Sequence, residues 1–242
     1  MNVAIVRMSR HPLLDALSKY LAARRPPVSL TTFSGFGASE CRGPAKLLKA
    51  WGRKQDLNAI VYLPPQHGDV SLGIQDFVAE VINLADRCSA RLIMISGPEA
   101  SNLNYRVLPV GEARYGAVLA ESENMIRAYR QGIVLRVPLL NSSPRIALFA
   151  AVVGSRLRDG EFDLLFNIAD AKEVAEIIGD SLDSGWYGLH QIGSGEPIRM
   201  SSLVGCDGSP GTTYNYSLPG AGLAPSVKTP SKDVWRLMVS KG

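Results

Sequence analysis

The sequence predicts an α/β fold, a doubly wound parallel sheet carrying a smaller C-terminal lobe. Residues 1–138 form the sheet domain, and residues 139–242 pack on it so that the whole is one structural unit. Three observations lead there. Short apolar runs alternate with segments of helical period along the first 138 residues. The runs are apolar without a polar alternation, as expected of strands buried on both faces by crossover helices. After Pro138 the alternation gives way to two helical patterns and a stretch rich in Gly, Ser, Pro and Thr.

The elements follow in order. Val3–Val6 reads as the first strand, and Leu13, Leu14, Leu17, Tyr20 and Leu21 then recur at helical spacing before Pro26 and Pro27 stop the helix. Val28–Phe33 is the second strand. Ala45–Arg53 is a short helix, and Ala59–Leu63 a buried strand ended by Pro64 and Pro65. A long helix over Leu72–Ala90 places Ile74, Phe77, Val78, Val81, Ile82 and Ala85 on one face. Arg91–Ile95 is the next strand, Tyr115–Tyr129 a helix, and Gly132–Val137 a strand ended by Pro138. Beyond it, Ile146–Arg158 and Ala171–Leu182 read as helices, Gly188–Ile192 as a short strand, and residues 205–230 as a long loop. Right-handed crossovers between such strands wind helices onto both faces of the sheet.

Composition narrows the function classes. The 242 residues are 46% hydrophobic and 20% charged, an ordinary globular balance. A net charge of +4 suits an anionic small molecule. No basic stripe interleaved with aromatic residues points to nucleic acid. The three cysteines, Cys41, Cys88 and Cys206, form no CxxC pair and suggest neither a disulfide framework nor a zinc site. His11, His67 and His190 have no metal-ligand spacing. Reduced thiols, the absence of a leader pattern at Met1 and the shortness of the longest apolar run (near Ile146–Val153) lead to the expectation of a cytoplasmic protein off the membrane.

Four stretches in sequence order carry a family resemblance. They are Val81–Cys88 followed by Arg91–Ser96; Tyr115-Gly116 leading through Ala128-Tyr129 to Gly132–Pro138; Asn167–Ala171 with Val174-Ala175; and Gly188–Ile198. Together they resemble an extended short-chain dehydrogenase/reductase, more narrowly the NAD-dependent epimerase/dehydratase group that acts on nucleotide sugars. The resemblance implies a Rossmann-like sheet, a substrate-binding C-terminal lobe, and either a homodimer or association with a partner enzyme.

The chain departs from that family at three places. The first β–α turn reads Arg7-Met8-Ser9-Arg10-His11-Pro12 and has no glycine; the family's glycine positions fall on Arg7, Arg10 and Leu13. Arg7 and Arg10 are candidate phosphate-binding residues that would work through side chains, or they are simply exposed in a turn. The second strand ends Thr31-Thr32-Phe33-Ser34, without the acidic residue that takes an adenosine ribose. The family's Tyr-x-x-x-Lys pair becomes Tyr115 and Leu119, which leaves the phenol without the lysine that lowers its pKa.

Tyr115 and Ser96 are the candidate catalytic residues, and Arg136, His190, Arg7 and Arg10 the candidate substrate contacts, with no metal ligand. The expectation is that no cofactor is bound, NAD or NADP entering only through a non-standard mode. The function expected is an atypical member of this group that lacks ordinary NAD(P) hydride chemistry and binds or acts on a nucleotide-sugar-like anion. A non-catalytic regulatory or scaffold subunit is one alternative. An NAD(P)-dependent epimerase or reductase with an unusual cofactor site is the other.

Overall fold

The structure, a computed structural model, describes residues 1–9, 11–35, 44–53, 55–65, 74–97, 100, 110–140, 165–166, 168–192 and 198–199. The strands predicted from the apolar runs are present. They are β1 (Asn2–Arg7), β2 (Ser29–Ser34), β3 (Ala59–Leu63), β4 (Arg91–Ser96), β5 (Gly132–Arg136) and β9 (Gly188–Gln191). They form one sheet in the order β2-β1-β3-β4-β5-β9. The β1–β2, β1–β3, β3–β4 and β4–β5 pairs are all parallel. The helices are α1 (Leu13–Ala22), α2 (Pro44–Gly52), α3 (Ile74–Cys88), α4 (Val110–Ala128) and α5 (Ala171–Asp183).

The sheet is buried on both faces, which is why its strands show no alternation. Ala4, Val6, Ile60, Tyr62, Leu92, Met94 and Val134 form one core with Leu48 of α2, Phe77 and Val81 of α3, and Leu119 and Ile126 of α4. Phe33 links the edge strand to it through Trp51 and Phe77, at ring-centroid distances of 5.4 Å and 6.2 Å. The alternate residues Val3, Ile5, Val61, Ile93, Ile133 and Leu135 are equally buried. They face the opposite side, where right-handed crossovers place α1. There α1 packs on α5 so tightly that a Cβ on Gly179 would collide with the Tyr20 ring.

Local chemistry sets the ends of the helices. α3 stops at Cys88 because Ser89 takes a left-handed conformation, φ 50°, and the Ala90 amide reaches back 2.8 Å to the Ala85 carbonyl. α4 begins five residues ahead of the predicted Tyr115, so Tyr115 sits in its second turn. The helix-favouring Glu112, Ala113 and Arg114 extend it backwards, but Gly111 hides that extension in the sequence.

By its contacts the chain divides into two units: Met1–Arg136 with Ala171–His190, and Val137–Asp170 with Gln191–Lys241. The first unit holds the six-stranded sheet. In the second, β6 (Leu139–Leu140) runs parallel to β8 (Ile168–Ala169), and β10 (Ile198–Arg199) antiparallel to β7 (Leu165–Phe166). The predicted Ile146–Arg158 helix, the 205–230 loop and the turn after Gln191-Ile192 at Gly193-Ser194-Gly195 lie outside the described residues. No helix among the described residues is long and apolar enough to cross a membrane.

Candidate functional site

In an open α/β sheet the ligand crevice lies outside the carboxyl ends of the strands, where the winding reverses. Here β1 leads to β2 on one side, and the chain then crosses to β3 on the other side of β1. The reversal therefore lies between β1 and β3. The residues that end these strands are Arg7 on β1 and Leu63 on β3, which are register partners. Beyond them stand Ser96 at the end of β4 and Arg136 at the end of β5, paired in the same way.

Arg7 folds over its own turn. Its Nη1 donates to the Ser9 carbonyl at 3.0 Å, and its Nε is buried without a partner among the described residues. The Arg7 carbonyl accepts the Gly35 amide at 3.0 Å, which joins the turn after β1 to the turn after β2. His11 closes the start of α1: its Nδ1 accepts the Leu13 amide at 3.2 Å, and its carbonyl accepts the Leu14 amide at 3.1 Å. Leu13, at the family's third glycine position, is fully buried in the packing of α1. Arg10 lies outside the described residues.

Tyr115 is 3% exposed, and its hydroxyl donates to the Pro65 carbonyl. Leu119, one turn further on, is buried in the core shared by α3 and α4. A phenol in this setting is engaged by backbone, and the position one turn further along its helix is apolar. Ser96 is 4% exposed, and its Oγ has no partner among the described residues. A buried hydroxyl without a partner is costly, and such groups gather at functional sites.

Arg136 is bound within the fold. Its Nε donates to Glu123 Oε1 at 2.9 Å and its Nη2 to Oε2 at 2.6 Å, a bidentate fork. Hydrogen bonding to Glu123 and the carboxylate's charge raise the Arg136 pKa above its already high ordinary value, against the opposing effect of burial. Glu123, one turn after Leu119, was not a candidate from sequence. Its one available signal is an acidic residue on the inner face of α4, between Leu119 and Ile126.

His190 on β9 stacks on Trp186 with centroids 5.1 Å apart, and its Nε2 donates to the Tyr187 carbonyl at 3.0 Å. Its Nδ1 is buried without a partner among the described residues. Burial lowers its pKa below the ordinary histidine value, and the contact with the Tyr187 carbonyl partly opposes this. The β1–α1 turn, Ser96 at the end of β4 and the Pro65 carbonyl just past β3, which holds Tyr115, thus lie toward the carboxyl ends of the strands. No group of three or more potential metal ligands occurs among the described residues.

No family model matches the chain, and no curated protein matches it. Solved structures do. A dTDP-glucose 4,6-dehydratase from Bacillus anthracis in complex with NAD aligns at 12% identity over 84% of this chain and 78% of that one, with a TM-score of 0.59. The Bordetella bronchiseptica enzyme WbmH in complex with NAD+ aligns at 13% identity over 84% and 79%, TM-score 0.57. The Helicobacter pylori ADP-L-glycero-D-manno-heptose-6-epimerase aligns at 9% identity over 84% and 79%, TM-score 0.58.

These likenesses correct one expectation. The lack of glycines in the first turn led to the expectation of no cofactor, yet two of the matched structures hold NAD in this fold. The physical reason is that glycine is one way to meet a phosphate and not a requirement for meeting it. Backbone amides and a guanidinium donate equally well, and this turn has Arg7 where the family has bare backbone. At these identities the likeness establishes the architecture, a Rossmann-like α/β sheet of the kind seen in NAD-bound dehydratase structures.

Proposed function

We propose that the chain binds a nucleotide sugar, or a similar phosphate-bearing small molecule, at the carboxyl edge of its sheet, and that Tyr115 is not the group that moves a proton there. The observation that carries the second half is the Tyr115 hydroxyl spent on the Pro65 carbonyl, with Leu119 buried where a lysine would lower the phenol's pKa. The first half is supported by the winding reversal between β1 and β3, the place where open α/β sheets take their ligands, and by the matched structures, which include a dTDP-glucose dehydratase, a heptose epimerase named for its ADP-linked sugar, and a UDP-N-acetylglucosamine 4-epimerase in complex with UDP-N-acetylmuramic acid.

Thermal-shift and calorimetric titration with UDP-glucose, dTDP-glucose, NAD and NADP tests the reading. A ligand selective for the native state raises the melting temperature, by about 2.7 kcal/mol of added stability at a hundredfold excess over Kd. Micromolar binding of a nucleotide sugar is expected. Any turnover found should survive Tyr115→Phe within about threefold, since a general acid–base group contributes at least ~100-fold. A hundredfold fall in kcat on that change would overturn the proposal. The NAD held in two matched structures favours a second reading, a nicotinamide-dependent enzyme. Saturable NAD or NADP binding together with that fall in kcat would establish it.

A further inference from the structure

We infer that the group holding the ligand's phosphate at the β1–β3 reversal is the Arg7 side chain, through its Nε and Nη2 edge. This rests on the proposed binding of a phosphate-bearing ligand and assigns the residue and geometry that recognise it.

Four arginines of the sheet unit are well fixed, and comparing them singles out Arg7. Arg24 meets the Asp183 carboxylate at 2.5 Å. Arg91 donates to the Ser181 carbonyl at 2.7 Å and to Ser184 Oγ at 3.3 Å, closing the end of α5. Arg136 is forked onto Glu123. Each of these has a side-chain or paired oxygen acceptor that accounts for its place, although Arg24 Nη1 is, like Arg7 Nε, buried without a partner among the described residues. Arg7 has one neutral backbone acceptor, Ser9 O, which takes only Nη1.

What Arg7 leaves over is specific. In Arg136 the Nε and Nη2 hydrogens point side by side and grip the two oxygens of one carboxylate. In Arg7 the Nη1 bond to Ser9 holds the guanidinium in place, and the same Nε–Nη2 edge has no acceptor among the described residues, its Nε being shielded from water. A charged donor so desolvated and unpaired is costly unless an anion completes it. The geometry of that edge matches two oxygens of a phosphate as well as those of a carboxylate.

The usual donor at this spot is already taken. The first amide of α1, at Leu13, is bound by the His11 ring, and the next, at Leu14, by the His11 carbonyl. Those two amides are not free for an anion at the helix start, where fold geometry otherwise puts it. Recognition by the Arg7 fork in their place predicts a phosphate or phosphoanhydride ligand whose affinity depends on that side chain and on ionic strength.

The test is calorimetric titration of the full chain and its Arg7→Gln and Arg7→Lys variants with UDP-glucose, inorganic pyrophosphate and uridine, with melting curves to establish folding. Arg7→Gln is expected to weaken UDP-glucose and pyrophosphate by about 10- to 100-fold, the range for a lost charge-assisted pair. Arg7→Lys keeps the charge without the fork and should fall between. Uridine, which has no phosphate, should bind all three proteins alike or not at all. UDP-glucose bound equally by wild type and Arg7→Gln would overturn the assignment and leave the proposed function standing. Pyrophosphate bound through Arg7 with no affinity for UDP-glucose would keep the assignment and overturn the nucleotide-sugar part of the proposed function. A wild-type chain that binds neither UDP-glucose nor pyrophosphate overturns both. Should Arg7→Gln fail to fold, Arg7→Lys decides: affinity for UDP-glucose equal to wild type refutes a fork-dependent contact.

Discussion

Removing Arg136 should cost this protein more than removing any of its exposed charges. The Glu123 side chain is 2% exposed and the Arg136 side chain 18%, so the carboxylate is the more completely desolvated partner. Arg136→Met deletes both donors of the fork and leaves Glu123 charged and unpaired inside the α4–β5 contact. Breaking a buried pair in this way costs about 3–5 kcal/mol. For a chain of this length each kcal/mol moves the melting midpoint by roughly 2–4 °C, so the expected fall is about 6–20 °C. Glu123→Leu should cost toward the lower end, because the partly exposed guanidinium can turn to water. Arg136→Met combined with Glu123→Leu removes both charges and should recover most of the loss. Urea unfolding followed by circular dichroism at pH 7 reads all four proteins. The reasoning fails if Arg136→Met is as stable as wild type, or if the double variant is no better than the worse single one.

Three further outcomes are expected. Ser89→Gly relieves a left-handed conformation at the end of α3 and should raise stability by roughly 1 kcal/mol, read by chemical denaturation. Ser96→Ala removes a buried hydroxyl without a partner; the free protein should melt at the same or a higher temperature, while UDP-glucose affinity falls if that hydroxyl faces ligand. The lowered pKa of His190 gives a pH dependence of known sign. Above about pH 6.5 the ring is neutral in both folded and unfolded chains. Below it the unfolded chain takes up a proton that the folded one resists, so stability falls with pH. Melting temperatures at pH 7.5 and 5.5 should therefore lie closer together in His190→Gln than in wild type, and an equal separation would refute the assignment.

The sheet was readable because its strands are buried on both faces. A run such as Ala59–Leu63 or Arg91–Ile95, followed by proline or by Ser96-Gly97, has few other physical explanations. The amphipathic stripes of α1 and α3 were legible for the same reason. The order of the strands was not, since the hydrophobicity of β3 does not say on which side of β1 it lands. The site was legible as a set of unusual residues and not as a geometry. Sequence marks Tyr115 with Leu119 as a broken pair, but only the fold brings the Pro65 carbonyl to the phenol. Arg136 was a candidate contact by family position, while its partner Glu123 is thirteen residues away and becomes its neighbour only through the α4–β5 turn. The no-cofactor expectation weighed residue types and could not weigh donors.

The sheet unit is interrupted in sequence: Met1–Arg136 is completed by Ala171–His190 after the Val137–Asp170 excursion. For a chain emerging from a ribosome, β1 to β5 can pair as they appear, each next to a strand already made. The Tyr20 side of α1 and the outer edge of β5 then wait uncovered until α5 and β9 arrive. Entropy penalises closing over the intervening segment only weakly, as the logarithm of its length, so the delay is kinetic. During it the nascent protein presents an open strand edge and an apolar helix flank, features that invite association with other chains. Any truncation that ends near residue 138 makes that interval permanent.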